Sequence, residues 1–159
     1  MSTTTPAQVL IDHLALQAHP EGGHYRRIYP APQPSGAPRA PLSAIHFLLA
    51  AGEFSAWHSV DAEEAWHFVE GEPLELLIYH ADTDQLRRHR LGARGIDDAE
   101  SMCVVPAYAW QAARPLGGHA LCTCLVAPAF DFSGFRLLDR DSDAALAARL
   151  AVLAPEIGI

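Results

Sequence analysis

Nine short runs between His24 and Ala127 carry apolar side chains either at alternate positions or nearly continuously, the two signatures of strands in a packed sheet. They are HYRRIY, LSAIHFLL, FSAWHSV, EAWHFVE, LELLIYH, QLRRHRL, MCVVP, WQAAR and HALCTCLVA. Gly, Pro or Asp punctuates most gaps, as in EGEP and LGARGIDD, so the pattern predicts many short strands in a sandwich or small barrel. The period changes at both ends of the chain. Thr5, Pro6 and Gln8 form a helix start, with Thr5 as cap and Gln8 closing a capping box; Leu10, Ile11 and Leu14 then share a face. That helix is expected over about 5–17. A second is expected over about 142–153, with Leu146, Leu150 and Leu153 on one stripe and Pro155 beyond its end. The proline-rich stretch 31–41 reads as an irregular loop. No internal repeat is visible. The pattern therefore gives one all-β-dominated domain over 1–159, a barrel of about 19–138 with a short helix at each end.

Composition narrows the function. Half of the 159 residues are apolar, enough for one proper core. A net charge of −8 leaves no basic stripe to neutralise phosphates, so nucleic acid is not an expected partner. The one basic cluster, Arg87, Arg88 and Arg90, falls on a strand whose alternation marks a solvated face. Cys103, Cys122 and Cys124 are odd in number and lack metal or redox spacing, so they read as buried free thiols. MSTTTPAQVL has neither a basic start nor an apolar core, and AIHFLLAAG is too short to cross a membrane. The expectation is a soluble cytoplasmic protein with no membrane partner.

The chemistry concentrates in residues 52–71. On a strand from Phe54, His58 and Val60 point the same way; on the next strand Glu64, Trp66 and Phe68 share a face, and His67 faces the other side. A tight antiparallel turn at 61–63 would bring His58 and Glu64 together on one surface. A histidine and a carboxylate inside a barrel are costly unless they pair, bind something or reach water. The expected use is an acid–base pair, with Glu64 orienting the imidazole.

Gly52, His58, Glu64 and Gly71 stand at the spacings G-x5-H-x-H-x3-E-x6-G, with Val60 in place of the second histidine. This resembles the first motif of the cupin superfamily. The second motif, P-x-G-x2-H, is most similar to residues 104–113, with Pro106 in place, Tyr108 where glycine is usual and Gln111 where a third histidine would stand. Around these, HPEGGHYRRIY, SAIHFLL, PLELLIY, VVPAYAWQAA and CTCLVAPAFDFSGF resemble, in order, small RmlC-like cupins that carry an HPEGG signature. Arg27 departs from that branch, where an acidic residue is usual. The resemblance implies a double-stranded β-helix, or jelly-roll barrel, akin to deoxysugar epimerases and forming a homodimer. It also implies that catalytic candidates His58 and Glu64 sit in a pocket for a small, polar, carbohydrate-like metabolite. Glu21, Trp66, Phe68, Tyr108, Gln111 and Asp131 are candidate ligand-binding residues. A typical metal cupin uses three histidines and a glutamate. His58 and Glu64 are the two candidate ligands left, so a tightly bound divalent transition metal is the alternative rather than the expectation. A metal-dependent oxygenase or isomerase, and a non-catalytic ligand-binding or assembly module, are the competing functions.

Overall fold

The computed structural model describes residues 5–30 and 36–159. Part of the expected irregular loop, residues 31–35, lies outside the described residues, and 36–41 carries no regular element. The chain runs α1 (Pro6–His13), β1 (Gln17–Ala18), β2 (His24–Tyr29), β3 (Ser43–Leu49), β4 (Ser55–Val60), β5 (Glu63–Gly71), β6 (Leu74–His80) and β7 (Gln85–Leu91). It continues with β8 (Met102–Val105), β9 (Trp110–Pro115), β10 (Ala120–Ala127), a 3-10 turn (Phe132–Gly134), β11 (Phe135–Leu137) and α2 (Ala144–Leu153). All nine sequence runs are strands within a residue or so. Neither helix is long and apolar enough to cross a membrane.

The strands form two sheets, in the orders β1-β2-β3-β10-β5-β8 and β11-β4-β9-β6-β7, with antiparallel neighbours throughout. Their inner faces enclose one core, including Phe47, Trp66, Phe68, Leu74, Leu76 and Ile78. α2 covers the outer face of the second sheet, where Leu150 meets Trp57, Leu77 and Trp110. α1 lies on the outside of the first, against Leu48 and Leu121. This is the jelly-roll barrel that the strand pattern and the motif resemblance imply.

Two local differences have clear causes. α1 stops at His13, four residues short of the expected end. Ala15 adopts a φ of 51°, its N–H bonds the Asp12 carbonyl, and the Leu16 N–H returns to Ile11 O at 2.9 Å. This is the Schellman arrangement, which usually announces itself with glycine. Alanine here hid the stop. Gln8 also completes only half of the capping box: its N–H bonds Thr5 Oγ1, but its side chain turns forward to Asp12.

The second difference concerns the turn after β4. It does not make a hydrogen-bonded pair with β5. Asp61 and Ala62 carry the chain round a barrel corner from the second sheet to the first, so His58 and Glu64 look inward from opposite walls.

Candidate functional site

Strand register places inward side chains in rows across the first sheet. Ser43, Val126, Glu64 and Val105 form one row; Arg27, Ile45, Cys124, Trp66 and Cys103 form the next; Tyr25, Phe47, Cys122 and Phe68 form a third. The parity expected for β5 holds: Glu64, Trp66 and Phe68 are buried, while His67 is exposed. His46, whose side could not be assigned from the sequence, alternates with pocket-lining Ile45 and Phe47 and so points away.

On β4 the alternation is broken usefully. Ser55 pairs with Ala113 and His58 with Gln111, so Ala56 and Trp57 together oppose Ala112. This bulge lets Ser55 and His58, three residues apart, both face inward, while Trp57 packs outward under α2. Bulges re-aim side chains in this way without ending the sheet.

The pocket is a cavity of about 150 Å³ at one end of the barrel, lined among others by His19, Glu21, Arg27, His58, Val60 and Glu64. Glu21 reaches it from the HPEGG turn. That turn runs so close to the barrel that a Cβ on Gly22 would lie 2.3 Å from Phe54 O, and one on Gly23 2.7 Å from Leu48 O. Both glycines also have positive φ. Glycine is therefore required twice over, by space and by backbone conformation. The Ala56 N–H bonds Glu21 O at 2.7 Å and fastens the turn to the bulge.

Within this frame the buried polar atoms are paired. Glu21 accepts from Ser55 Oγ at 2.9 Å, and its Oε2 lies 3.3 Å from His58 Nε2 and 3.5 Å from His19 Nδ1. His58 Nδ1 lies 2.7 Å from the Ala56 carbonyl, a contact that requires the proton on Nδ1 and leaves Nε2 as the reactive nitrogen. Glu64 accepts from Gln111 Nε2 at 2.8 Å, and Gln111 Oε1 accepts from Trp66 Nε1 at 2.8 Å. The direct carboxylate partner of His58 is thus Glu21. Glu64 acts on it across the cavity.

Burial sets the charge states. It pushes the Glu21 carboxyl up to about 8, against the bond from Ser55. It lifts Glu64 to about 7, opposed by His58, reinforced by Glu21 and opposed again by Gln111. His58 is lowered by burial, with Glu64 and the Ala56 carbonyl pulling the other way. His19 is held down to about 4 by burial and by His58. Near neutral pH the site holds neutral imidazoles beside carboxyls poised to gain or lose a proton, the condition for acid–base work.

The remaining candidates fall in different places. Trp66 and Phe68 form the apolar floor below the cavity and do not line it. Gln111 is buried on the same wall as His58, its ladder partner on β9, and reaches across to Glu64. Tyr108 is 72% exposed and outside the pocket lining. It takes the left-handed position of a turn closed by Ala109 N–H to Pro106 O, with φ 65° where glycine is usual, and donates its N–H to Val60 O. Asp131 caps the 3-10 turn through Ser133 N and borders a neighbouring shallow hollow with Arg27 and Arg39. His19 was missed by sequence reasoning, although it is the first residue of the very signature that supplied Glu21.

The residues do not fit a metal. Val60 has no donor, and the Gln111 amide oxygen is already engaged by Trp66, so its N–H faces Glu64 where a ligand lone pair would be needed. Among the described residues, the trio of His, Cys or carboxylate atoms lying within 4.8 Å of one another is His89, Glu100 and Cys103, on the far strands. His19, Glu21, His58 and Glu64 form no such trio.

Comparison with known proteins agrees with the architecture. The family described as Cupin superfamily (DUF985) matches residues 8–138. The crystal structure of a protein from Shewanella oneidensis is 27% identical, with 98% of each chain covered and a TM-score of 0.86. A hypothetical protein from Leishmania major is 26% identical, covering 96% of this chain and 94% of its own, with a TM-score of 0.76. A cupin 2 conserved barrel domain protein from Rhodopseudomonas palustris, 14% identical over 86% of this chain and 80% of its own, shares the fold with a TM-score of 0.59. No curated protein matches.

Proposed function

This chain belongs to the cupin superfamily, in the family DUF985, and from that premise we propose that its barrel binds a small, polar, carbohydrate-like metabolite and moves a proton on it, as an isomerase or epimerase does. The observation that carries this reading is His58. Its Nδ1 is committed to the Ala56 carbonyl, and its Nε2 opens on the cavity beside Glu21, with Glu64 on the opposite wall. A fixed tautomer with one free nitrogen is what a general base requires.

The proton balance follows from the site. In the resting state one proton lies between Glu21 Oε2 and His58 Nε2; Glu21, protonated up to about 8, gives it to the carbonyl oxygen of the bound substrate, which frees Nε2 as base. The imidazole then takes the proton from the carbon beside that carbonyl, leaving an enediol whose hydroxyl proton returns to Glu21 as the carbonyl re-forms. Glu64, protonated up to about 7, returns a proton to carbon from the other wall. Deoxysugar epimerases, to which the sequence motifs point, are an analogy for this chemistry and not its warrant.

The test is solvent exchange. Wild-type protein in D2O with dihydroxyacetone and larger keto sugars is expected to place deuterium beside the ketone, read by NMR, and His58→Gln to slow this by about 100-fold or more. A keto sugar that stabilises the fold without any exchange would make the protein a binding module instead.

A further inference from the structure

The cavity mouth carries a cation that the proton chemistry does not use. We propose that Arg27 reads an anionic group, so that the ligand is a small carboxylate or phosphate ester held with its charged end at the rim. This deepens the preceding reading and rests on it for the identity of the pocket.

Arg27 stands opposite Ile45 in the β2–β3 ladder, on the inward side of the sheet, and both residues line the cavity. Its neighbour Arg26 has the other parity and bonds Leu14 O behind the sheet. Arg26, Arg27, Arg87, Arg90, Arg94 and Arg140 form no ion pair among the described residues, and of these Arg27 is the one that lines the cavity. Arg39, Arg88, Arg114, Arg136 and Arg149 each form an ion pair with a carboxylate. Among the described residues, Arg27 bonds only the Phe130 carbonyl, at 3.3 Å. Asp131 lies within electrostatic reach, but its Oδ1 is occupied by the Ser133 N–H and it forms no ion pair with Arg27. A guanidinium that forms no ion pair among the described residues, beside a cavity in a protein of net charge −8, is a fork suited to a planar carboxylate or a phosphate.

The rest of the cavity agrees with a ligand that is charged at one end only. Beyond the rim, Tyr25, Phe130 and Phe132 give it apolar walls, and Phe130 and Phe132 meet edge to face at 4.9 Å. The depth holds Glu21, His58 and Glu64, which suit a carbonyl or hydroxyl group. An anion placed there would face two carboxyls; placed at Arg27 it is kept from them.

A matched pair of probes decides the matter. Dihydroxyacetone phosphate and L-malate are titrated against dihydroxyacetone and glycerol, by calorimetry and thermal shift, on wild type, Arg27→Gln and Arg27→Lys. Arg27 is exposed, so the variants are expected to fold, and circular dichroism checks this. The expected result is binding of at least one anion about 10-fold or more tighter than the neutral probes. Arg27→Gln should remove that preference and Arg27→Lys restore part of it; phosphate or malate alone binding assigns the anion class. Equal binding of charged and neutral probes overturns the inference, as does binding of none, or an anion preference that survives Arg27→Gln. Deuterium exchange into dihydroxyacetone alongside equal binding would leave the proton-transfer reading standing while this one fell. Anion-selective binding without exchange would do the reverse.

Discussion

The two ends of the barrel interior are made by the same strands, and a step of two residues separates them. On β5, Glu64 faces the cavity, Trp66 lies beneath it and Phe68 lies deeper still. One end is filled by Leu74, Leu76 and Ile78. The other buries Glu21, His58 and Glu64 and remains open. Buried acids and imidazoles ordinarily cost several kcal/mol unless partnered. Here each group has a partner: Ser55 and His58 for Glu21, the Ala56 carbonyl for His58, Gln111 for Glu64. The buried side-chain polar atoms that do lack partners among the described residues, on His24, His46 and Trp57, are not those of the cavity acids or His58. The polar end is therefore stable by construction, and the apolar end serves as its rigid floor.

Breaking the floor should cost most. Trp66→Ala removes a side chain that is 1% exposed together with the bond to Gln111, and is expected to destabilise the fold by about 3–5 kcal/mol in chemical denaturation. A loss below about 1 kcal/mol would mean that the floor does not depend on it.

The next effect belongs to the polar end and depends on pH. Glu21 and Glu64 have folded values of about 8 and 7 against an ordinary 4.5. As pH rises from 4.5 the unfolded chain ionises first, so their contribution is complete below 4.5 and disappears as pH climbs through 7 to 8. His19 works in the opposite sense: lowered from 6.5 to about 4, it contributes above 6.5 and its share is lost as pH falls toward 4. The two slopes oppose one another between 4.5 and 6.5, and the carboxyl slope stands alone above that. Wild type should lose on the order of 3 kcal/mol between pH 6.5 and 8. Glu21→Gln should flatten much of this loss, and unfolding curves at four or five pH values would check it.

Gln111→Ala tests the junction of the two ends. It strands the Trp66 indole N–H and one Glu64 oxygen, at an expected cost of about 1–3 kcal/mol. The Glu64 carboxyl should titrate higher than before, by carbon-detected NMR, because the bond from Gln111 helps to hold it down. Outside both ends, Asp131→Ala should cost only about 0.5–1 kcal/mol, the worth of one exposed cap, and leave the His58 resonances unmoved. A shift there would connect Asp131 to the pocket.

The strands and the inward faces of β5 and β10 were legible because a period of two needs only local information. The same logic placed His67 outside and Cys122 and Cys124 inside. What escaped the pattern was whatever depended on a backbone departure or on long-range pairing. The Ala15 turn shortened α1 without a glycine to mark it. The bulge at Ala56 and Trp57, which aims Ser55 inward, has no residue signature. The Glu21–His58 contact joins residues 37 positions apart, through a turn whose place depends on the close approach of Gly22 and Gly23 to the barrel. Sequence reasoning paired His58 with Glu64 because they are neighbours along the chain, and the corner at Asp61 and Ala62 put them on separate walls. Arg27 was visible as an unexpected residue, but its function at the rim needed the register of β2.

The line of bonds from Trp66 through Gln111 to Glu64 also gives the molecule its own optical reporter. The other two tryptophans, Trp57 and Trp110, lie on the outer face of the second sheet under α2, insulated from the cavity. Trp66 alone has its indole dipole oriented by a chain that ends on the titrating carboxyl. Its emission should follow the ionisation of Glu64 near pH 7 and change when the cavity is occupied. With Trp57 and Trp110 replaced by phenylalanine, a fluorimeter would read occupancy directly, without a label and without knowing beforehand which molecule to add.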